Sequence, residues 1–187
     1  MAHILLDESK PGMRSLLAYF PVIARPLSGL MELMMRSDHG LTKGERELIA
    51  TFVSGLNHCI PCENIHGAVA CQLNGFSADV LSEIKTNHHQ TPVSNRLKSI
   101  LDLAVLVVKG GNKITVDKIE SVKAAGCGNQ EIHDTVLIAA MFCMFNRYLD
   151  GLGIVSHDTP FTLSERSKHI AHHGYSGMTR DDFKIIE

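Results

Sequence analysis

Tryptophan is absent from this sequence, and aromatic side chains make up only 5% of it. No run of lysine and arginine interleaves with them, so the basic stripes and stacking platforms that hold nucleic acid are missing. Neither sign of charge dominates: 18 basic and 20 acidic residues leave a formal charge of −2. Long hydrophobic runs are missing too. The longest, VLIAAMFCMF at 136–145, is about half of what a bilayer crossing requires. The opening MAHILLDESK places Asp7 and Glu8 where an export signal carries positive charge and then an apolar stretch. A cytoplasmic location without a membrane partner is therefore expected. An even set of cysteines is lacking as well. Five of them fit thiols in a reducing compartment better than a disulfide framework. Cys71, Cys127 and Cys143 stand alone and read as small apolar packing residues.

Period-2 alternation is scarce, and no long linker or composition shift divides the chain. A single all-α domain over 1–187 is expected, with a core over about 20–155 and a helical tail over 156–187. A chain of 187 residues can bury such a core without metal or disulfide staples. Start and stop signals place the helices. Pro26 suits the first turn of a helix through Met35, closed at Gly40, where Met31, Met34 and Met35 read as packing. Thr42 and Glu45 form a capping-box pattern ahead of ERELIATFVSGL, whose apolar face is Leu48, Ile49, Phe52, Val53 and Leu56. Pro61 suits the first turn of the next helix, which runs to Gly75. Ser77, Thr91, Thr115 and Asn129 are expected caps for later helices, and LSERSKHIAHHG is helical in the tail. His88, His89, His169, His172 and His173 read as solvated, His133 as a surface or capping residue, and Arg147 as part of an intra-helix ion pair.

Against this background NHCIPCENIH, residues 57–66, is unusual. At 100° per residue on a helix, Cys59, Cys62 and His66 fall within a sector of about 60°. The cysteines lie at a helix start, where unpaired N–H groups and the helix dipole favour thiolate over thiol. His66, one turn below Cys62, is placed to act as a base. Glu47, on the preceding helix, faces the same way as Thr51, Ser54 and Gly55. A short connection at 55–58 would fold that helix back and bring Glu47 to His66. A zinc site built from Cys59, Cys62 and His66 would need a fourth ligand such as Glu47 or Cys71, and no second CxxC or HxxxH completes it. No metal or other cofactor is expected.

With Glu47 standing twelve residues before Cys59, and His66 four after Cys62, the pattern resembles the signature of the alkylhydroperoxidase D and carboxymuconolactone decarboxylase superfamily. ERELIATFVSGLNHC, LDLAVLV, MFNRYLDGLGI and the tail ERSKHIAHHGYSG resemble its peroxidase-related branch, over roughly 20–177. The resemblance implies an all-α helical bundle assembled into homotrimers or hexamers. It also implies a thiol-dependent peroxidase or disulfide oxidoreductase, free of flavin, haem and metal. Its substrate would be a hydroperoxide, and its reductant a lipoyl group or a peroxiredoxin system. In those terms Cys62 is the attacking thiol, Cys59 the resolving thiol, His66 the base and Glu47 the relay carboxylate. The dipole favours the more N-terminal Cys59 instead, whereas the His66 register agrees with the resemblance; we take Cys62. One departure is plain: Pro61 stands where well-studied redox members carry a further histidine, and His58 lies on the other side of the pair. The alternatives are a decarboxylase-like acid–base enzyme using His66 and Glu47, and a non-enzymatic redox-sensing oligomer.

Overall fold

The structure, a computed structural model, describes residues 2–7 and 9–176. Residues 177–187 of the expected tail, and Glu8 of the opening acidic pair, lie outside the described residues. Among the described residues the architecture is all-α, as the capping signals require. The helices are α1 (Met13–Tyr19), α2 (Pro21–Arg36), α3 (Lys43–Leu56), α4 (Ile60–Asn74), α5 (Ala78–Asn87), α6 (Asn95–Lys109), α7 (Val116–Ala124), α8 (Asn129–Gly151) and α9 (Pro160–His173). None is long and apolar enough to cross a membrane.

The hairpin of α3 and α4 is the element that positions the site. Thr42 and Glu45 close a reciprocal capping box: Glu45 N–H donates to Thr42 Oγ1 (3.1 Å) and Thr42 N–H to Glu45 Oε2 (2.9 Å). Leu48, Ile49, Phe52 and Val53 are buried, while Leu56 at the helix end is 39% exposed. The chain then reverses through Asn57 and His58. His58 takes a left-handed φ of 61°, uncommon for a residue with a side chain, and Cys59 N–H donates back to Ser54 O (2.9 Å). So His58 serves the turn. Pro61 lies in the first turn of α4 and Gly75 ends it at φ 68°. A Cβ there meets no neighbour, so Gly75→Ala isolates the backbone cost. We expect a loss of about 1 kcal/mol of unfolding free energy in urea; an unchanged midpoint would contradict it.

α3 runs through the centre, packed against α4, α8 and α6, while α9 lies along α4. The main core joins Leu48, Ile49 and Val53 of α3 to Val69, Leu101 and Phe142. Cys127 is buried within it, and Cys71 and Cys143 pack at its edge. A smaller apolar cluster contains Leu16, Cys59, Cys62, Leu149 and Ile154. Arg46 is wholly buried. It donates to the carbonyls of Leu41 (3.1 Å), Met34 (2.8 Å) and His39 (2.5 Å) and to Asp134 Oδ2 of α8 (2.7 Å), tying the α2–α3 connection to α8.

Several boundaries differ from the sequence expectation. α2 starts at Pro21, not Pro26, which lies inside the helix. The bond Pro26 cannot make would go to Val22, which is 75% exposed, so water can serve that carbonyl. α1 carried no start signal: its cap, Gly12, makes no side-chain bond. α6 is capped by Ser94, whose Oγ accepts from Leu97 N–H (3.1 Å), because Thr91 turns its hydroxyl to His88 O (2.8 Å). α8 takes Gly128 as cap, with Glu131 on its N–H (2.6 Å), so Asn129 is the first helical residue. His88 is buried rather than solvated, packed edge-on against Phe52. Arg147 donates to Cys143 O (2.9 Å) within its own helix, in place of the expected ion pair.

Candidate active site

The α3–α4 hairpin brings together the four residues that the spacing singled out. Cys59 is the N-cap of α4, Cys62 lies in the first turn and His66 one turn further. Glu47, on α3, is fully buried, and His66 Nδ1 lies 2.8 Å from its Oε2. That contact fixes the ring: Nδ1 faces the carboxylate and Nε2 lies on the opposite edge.

Two groups outside the sequence motif complete this buried cluster. Arg36, the last residue of α2, donates from Nη1 to Glu47 Oε1 (2.8 Å). Tyr175, just past α9, donates its hydroxyl to the same oxygen (2.6 Å) and lies 3.1 Å from His66 Nδ1. The Arg36 guanidinium stands 4.7 Å over the Tyr175 ring, and Phe142 meets the His66 ring edge-on at 4.6 Å. Burial opposes ionisation of Glu47. The hydrogen bond and charge of His66, the Arg36 charge and the Tyr175 hydroxyl outweigh it and hold the carboxyl below its usual range. Burial beside that carboxylate pushes the Tyr175 phenol well up, so it stays protonated.

The two thiols are unlike each other. Cys59 hydrogen-bonds to Cys62, and this bond, burial and Asp150 push the Cys59 thiol up. The same bond from Cys59 lowers Cys62; burial opposes it, and the Asn146 side chain adds a second donor that lowers it further. Asn146 is itself fixed, accepting from Asn57 Nδ2 (2.9 Å) and donating to Ser54 Oγ (3.1 Å). Cys62 also faces an open space. With Pro61, Ile65, His66, Phe142 and Tyr175 it lines a cavity of about 60 Å3 whose walls do not include Cys59. That volume holds several waters or a small organic group. Iodoacetamide should therefore label Cys62 with a midpoint below the value of about 8.5 for free cysteine, and leave Cys59 unlabelled. A midpoint at or above that value would contradict this electrostatic account.

The fold is similar to that of a crystal structure described as an alkylhydroperoxidase AhpD core, an uncharacterized peroxidase-related protein from Ralstonia eutropha JMP134. The TM-score is 0.72 at 28% identity, over 77% of this chain and 75% of that one. The chain thus has an alkylhydroperoxidase D-like fold. An uncharacterized peroxidase-related protein from Silicibacter sp. TM1040 shares the fold, with a TM-score of 0.73 at 24% identity over 79% and 76% of the two chains. No family model and no curated protein matches the chain.

Within this alkylhydroperoxidase D-like frame, sequence reasoning assigned no site role to Arg36 or Tyr175, and Asn146 and Asp150 drew notice only through the likeness of MFNRYLDGLGI to the peroxidase-related branch. Asn146 and Asp150 stand four apart on α8, which puts them on one face, yet nothing local says that the face meets a dithiol. Tyr175 lies 109 residues from His66; the likeness of the tail to the peroxidase-related branch was the only signal for it. Neither group considered as a fourth zinc ligand is available as one. Glu47 is committed to Arg36, His66 and Tyr175, and Cys71 Sγ approaches Ser77 O (3.9 Å) at the far end of α4.

Proposed function

We propose that this chain is a thiol-dependent hydroperoxidase that cycles Cys59 and Cys62 between dithiol and disulfide. The observation that carries the proposal is the asymmetry of the pair: Cys62, whose pKa is lowered, opens on a cavity shared with His66, while Cys59 is sealed beneath it. Cys62 thiolate attacks the terminal oxygen of ROOH; the O–O bond breaks, Cys62 becomes a sulfenic acid and the alkoxide leaves as ROH with a proton. His66 Nε2 holds or passes that proton, directly or through a water in the cavity. Cys59 then attacks the sulfenic sulfur, forming the disulfide and releasing water. An external dithiol, such as the lipoyl group that the family resemblance implies, returns two electrons by thiol–disulfide exchange.

Glu47 acts as a positioning residue through His66, as the carboxylate of a triad does. Tyr175 adds a protonated phenol to the relay, in a chain where Pro61 replaces the histidine seen in other redox members. The apolar walls Ile65, Phe142 and Phe145 suit a small organic hydroperoxide. A homo-oligomer in a reducing cytoplasm fits the same reading.

Purified protein should consume an organic hydroperoxide such as cumene hydroperoxide with dihydrolipoamide or dithiothreitol. Mass spectrometry after one turnover should show a Cys59–Cys62 disulfide. Consumption no faster than the thiol alone, with each donor, would refute the proposal. Glu47→Gln should lower the rate by about 10²-fold and change the pH profile, because the His66 tautomer is no longer enforced. An unaltered profile would remove Glu47 from the relay.

A further inference from the structure

A second group of chemically capable side chains lies at the junction of α5 and α6, apart from the walls of the dithiol cavity. His88 and His89 occupy a single 3-10 turn, His88–Gln90, and Asp102 lies on α6. His88 Nε2 stands 2.8 Å and His89 Nε2 3.0 Å from the same atom, Asp102 Oδ1. The three ligand atoms all lie within 4.8 Å of one another.

Adjacent residues of a 3-10 turn project about 120° apart, so the turn does not itself bring these two imidazoles together. They converge nonetheless, with ring centroids 4.2 Å apart. His88 is held from behind by Phe52, edge-on at 5.2 Å. The front is open, since the side chains of His89 and Asp102 are 59% and 48% exposed. Ligand bonds of about 2.0–2.1 Å place neighbouring donor atoms about 2.9–3.4 Å apart in octahedral or tetrahedral geometry. The two imidazole-to-carboxylate separations, 2.8 and 3.0 Å, are close to that spacing.

We infer that His88, His89 and Asp102 form a binding site for a late first-row divalent cation of the nickel or zinc kind. Two imidazole nitrogens and one carboxylate oxygen are the donors such ions favour, whereas magnesium and calcium favour oxygen sets. One negative charge offsets half of the ion's charge, and the open front leaves the remaining positions to water. The bound ion would clip the α5–α6 connection to α6.

Because thiols also bind these metals, the test uses the full-length Cys59→Ser/Cys62→Ser chain as parent, titrated calorimetrically with nickel chloride at neutral pH. The parent should bind one equivalent that is weakened at least tenfold by His89→Ala and, separately, by Asp102→Asn. Both substitutions are at half-exposed side chains. Nickel should raise the melting temperature of the parent and of neither variant, and magnesium chloride should raise none. His169 and His173, with rings 4.6 Å apart, supply the control. If the equivalent survives both substitutions but is lost in His169→Ala, or if all isotherms coincide, the assignment is overturned.

Discussion

Cys62→Ser should abolish hydroperoxide consumption, a loss of at least about 10³-fold, whereas Cys59→Ser should leave a single fast turnover. The two substitutions differ because the two sulfurs sit differently. Cys62 faces the cavity and receives hydrogen bonds from Cys59 and Asn146, which in the proposed cycle makes it the thiol that ionises first and attacks the peroxide. A serine hydroxyl at 62 has neither the acidity nor the polarisable lone pair to open an O–O bond. At 59, a serine can still donate a hydrogen bond to the Cys62 thiolate, so the first attack persists. It cannot resolve the sulfenic acid. Cys59→Ser should then reduce about one hydroperoxide per chain and stall, with Cys62 trapped by dimedone. The reverse assignment, with Cys59→Ser inert and Cys62→Ser giving the burst, would mean that the helix dipole outweighs the pocket and its donors.

Arg46→Met should be among the most destabilising single changes, by about 3–5 kcal/mol. Methionine replaces the apolar stem but none of the donors. Three carbonyls lose their partner, that of Leu41 in a buried setting and those of Met34 and His39 in part-buried ones, and Asp134, whose side chain is 3% exposed, loses its guanidinium. Burial opposes the ionisation of Asp134; hydrogen bonds from His133, Arg46 and Gln130 hold its carboxyl low despite this. A carboxyl lowered in the folded state contributes stability above its unfolded pKa and loses it as pH falls. The gap between wild type and Arg46→Met should therefore be widest near neutrality and narrow on acidification, as the orphaned carboxylate takes up a proton. In a chain of this size the melting temperature should fall by about 10 °C or more. Arg46→Met combined with Asp134→Leu should recover part of the loss, since no buried charge is left unpaired. A double variant no more stable than the single one would place the cost in the three carbonyls alone.

The helices, their caps and the dithiol were legible because they rest on local chemistry. A capping box such as Thr42 with Glu45, or a glycine stop such as Gly75, acts across one turn of chain. Where a local signal had a competitor, the reading slipped. Pro26 looked like a start because proline prefers a first turn, yet an exposed helix tolerates it further in. Thr91 looked like a cap, but Ser94 stands closer to the first helical residue. The Cys59, Cys62 and His66 alignment followed from helical periodicity, and Glu47 from the short connection that folds α3 onto α4.

The sequence by itself therefore determined an all-α chain with a dithiol at a helix start and a histidine one turn below. Only the tertiary structure decided which thiol is sealed and which faces the cavity. It also decided what holds the relay in place, because Arg36, Asn146, Asp150 and Tyr175 come from α2, α8 and the segment after α9. Their contacts depend on how whole helices pack, and periodicity within one helix carries no information about the neighbour its face will meet. For the same reason His88 looked solvated until Phe52 and Asp102 closed on it, whereas His89 is exposed as expected and meets Asp102 only at its ring edge.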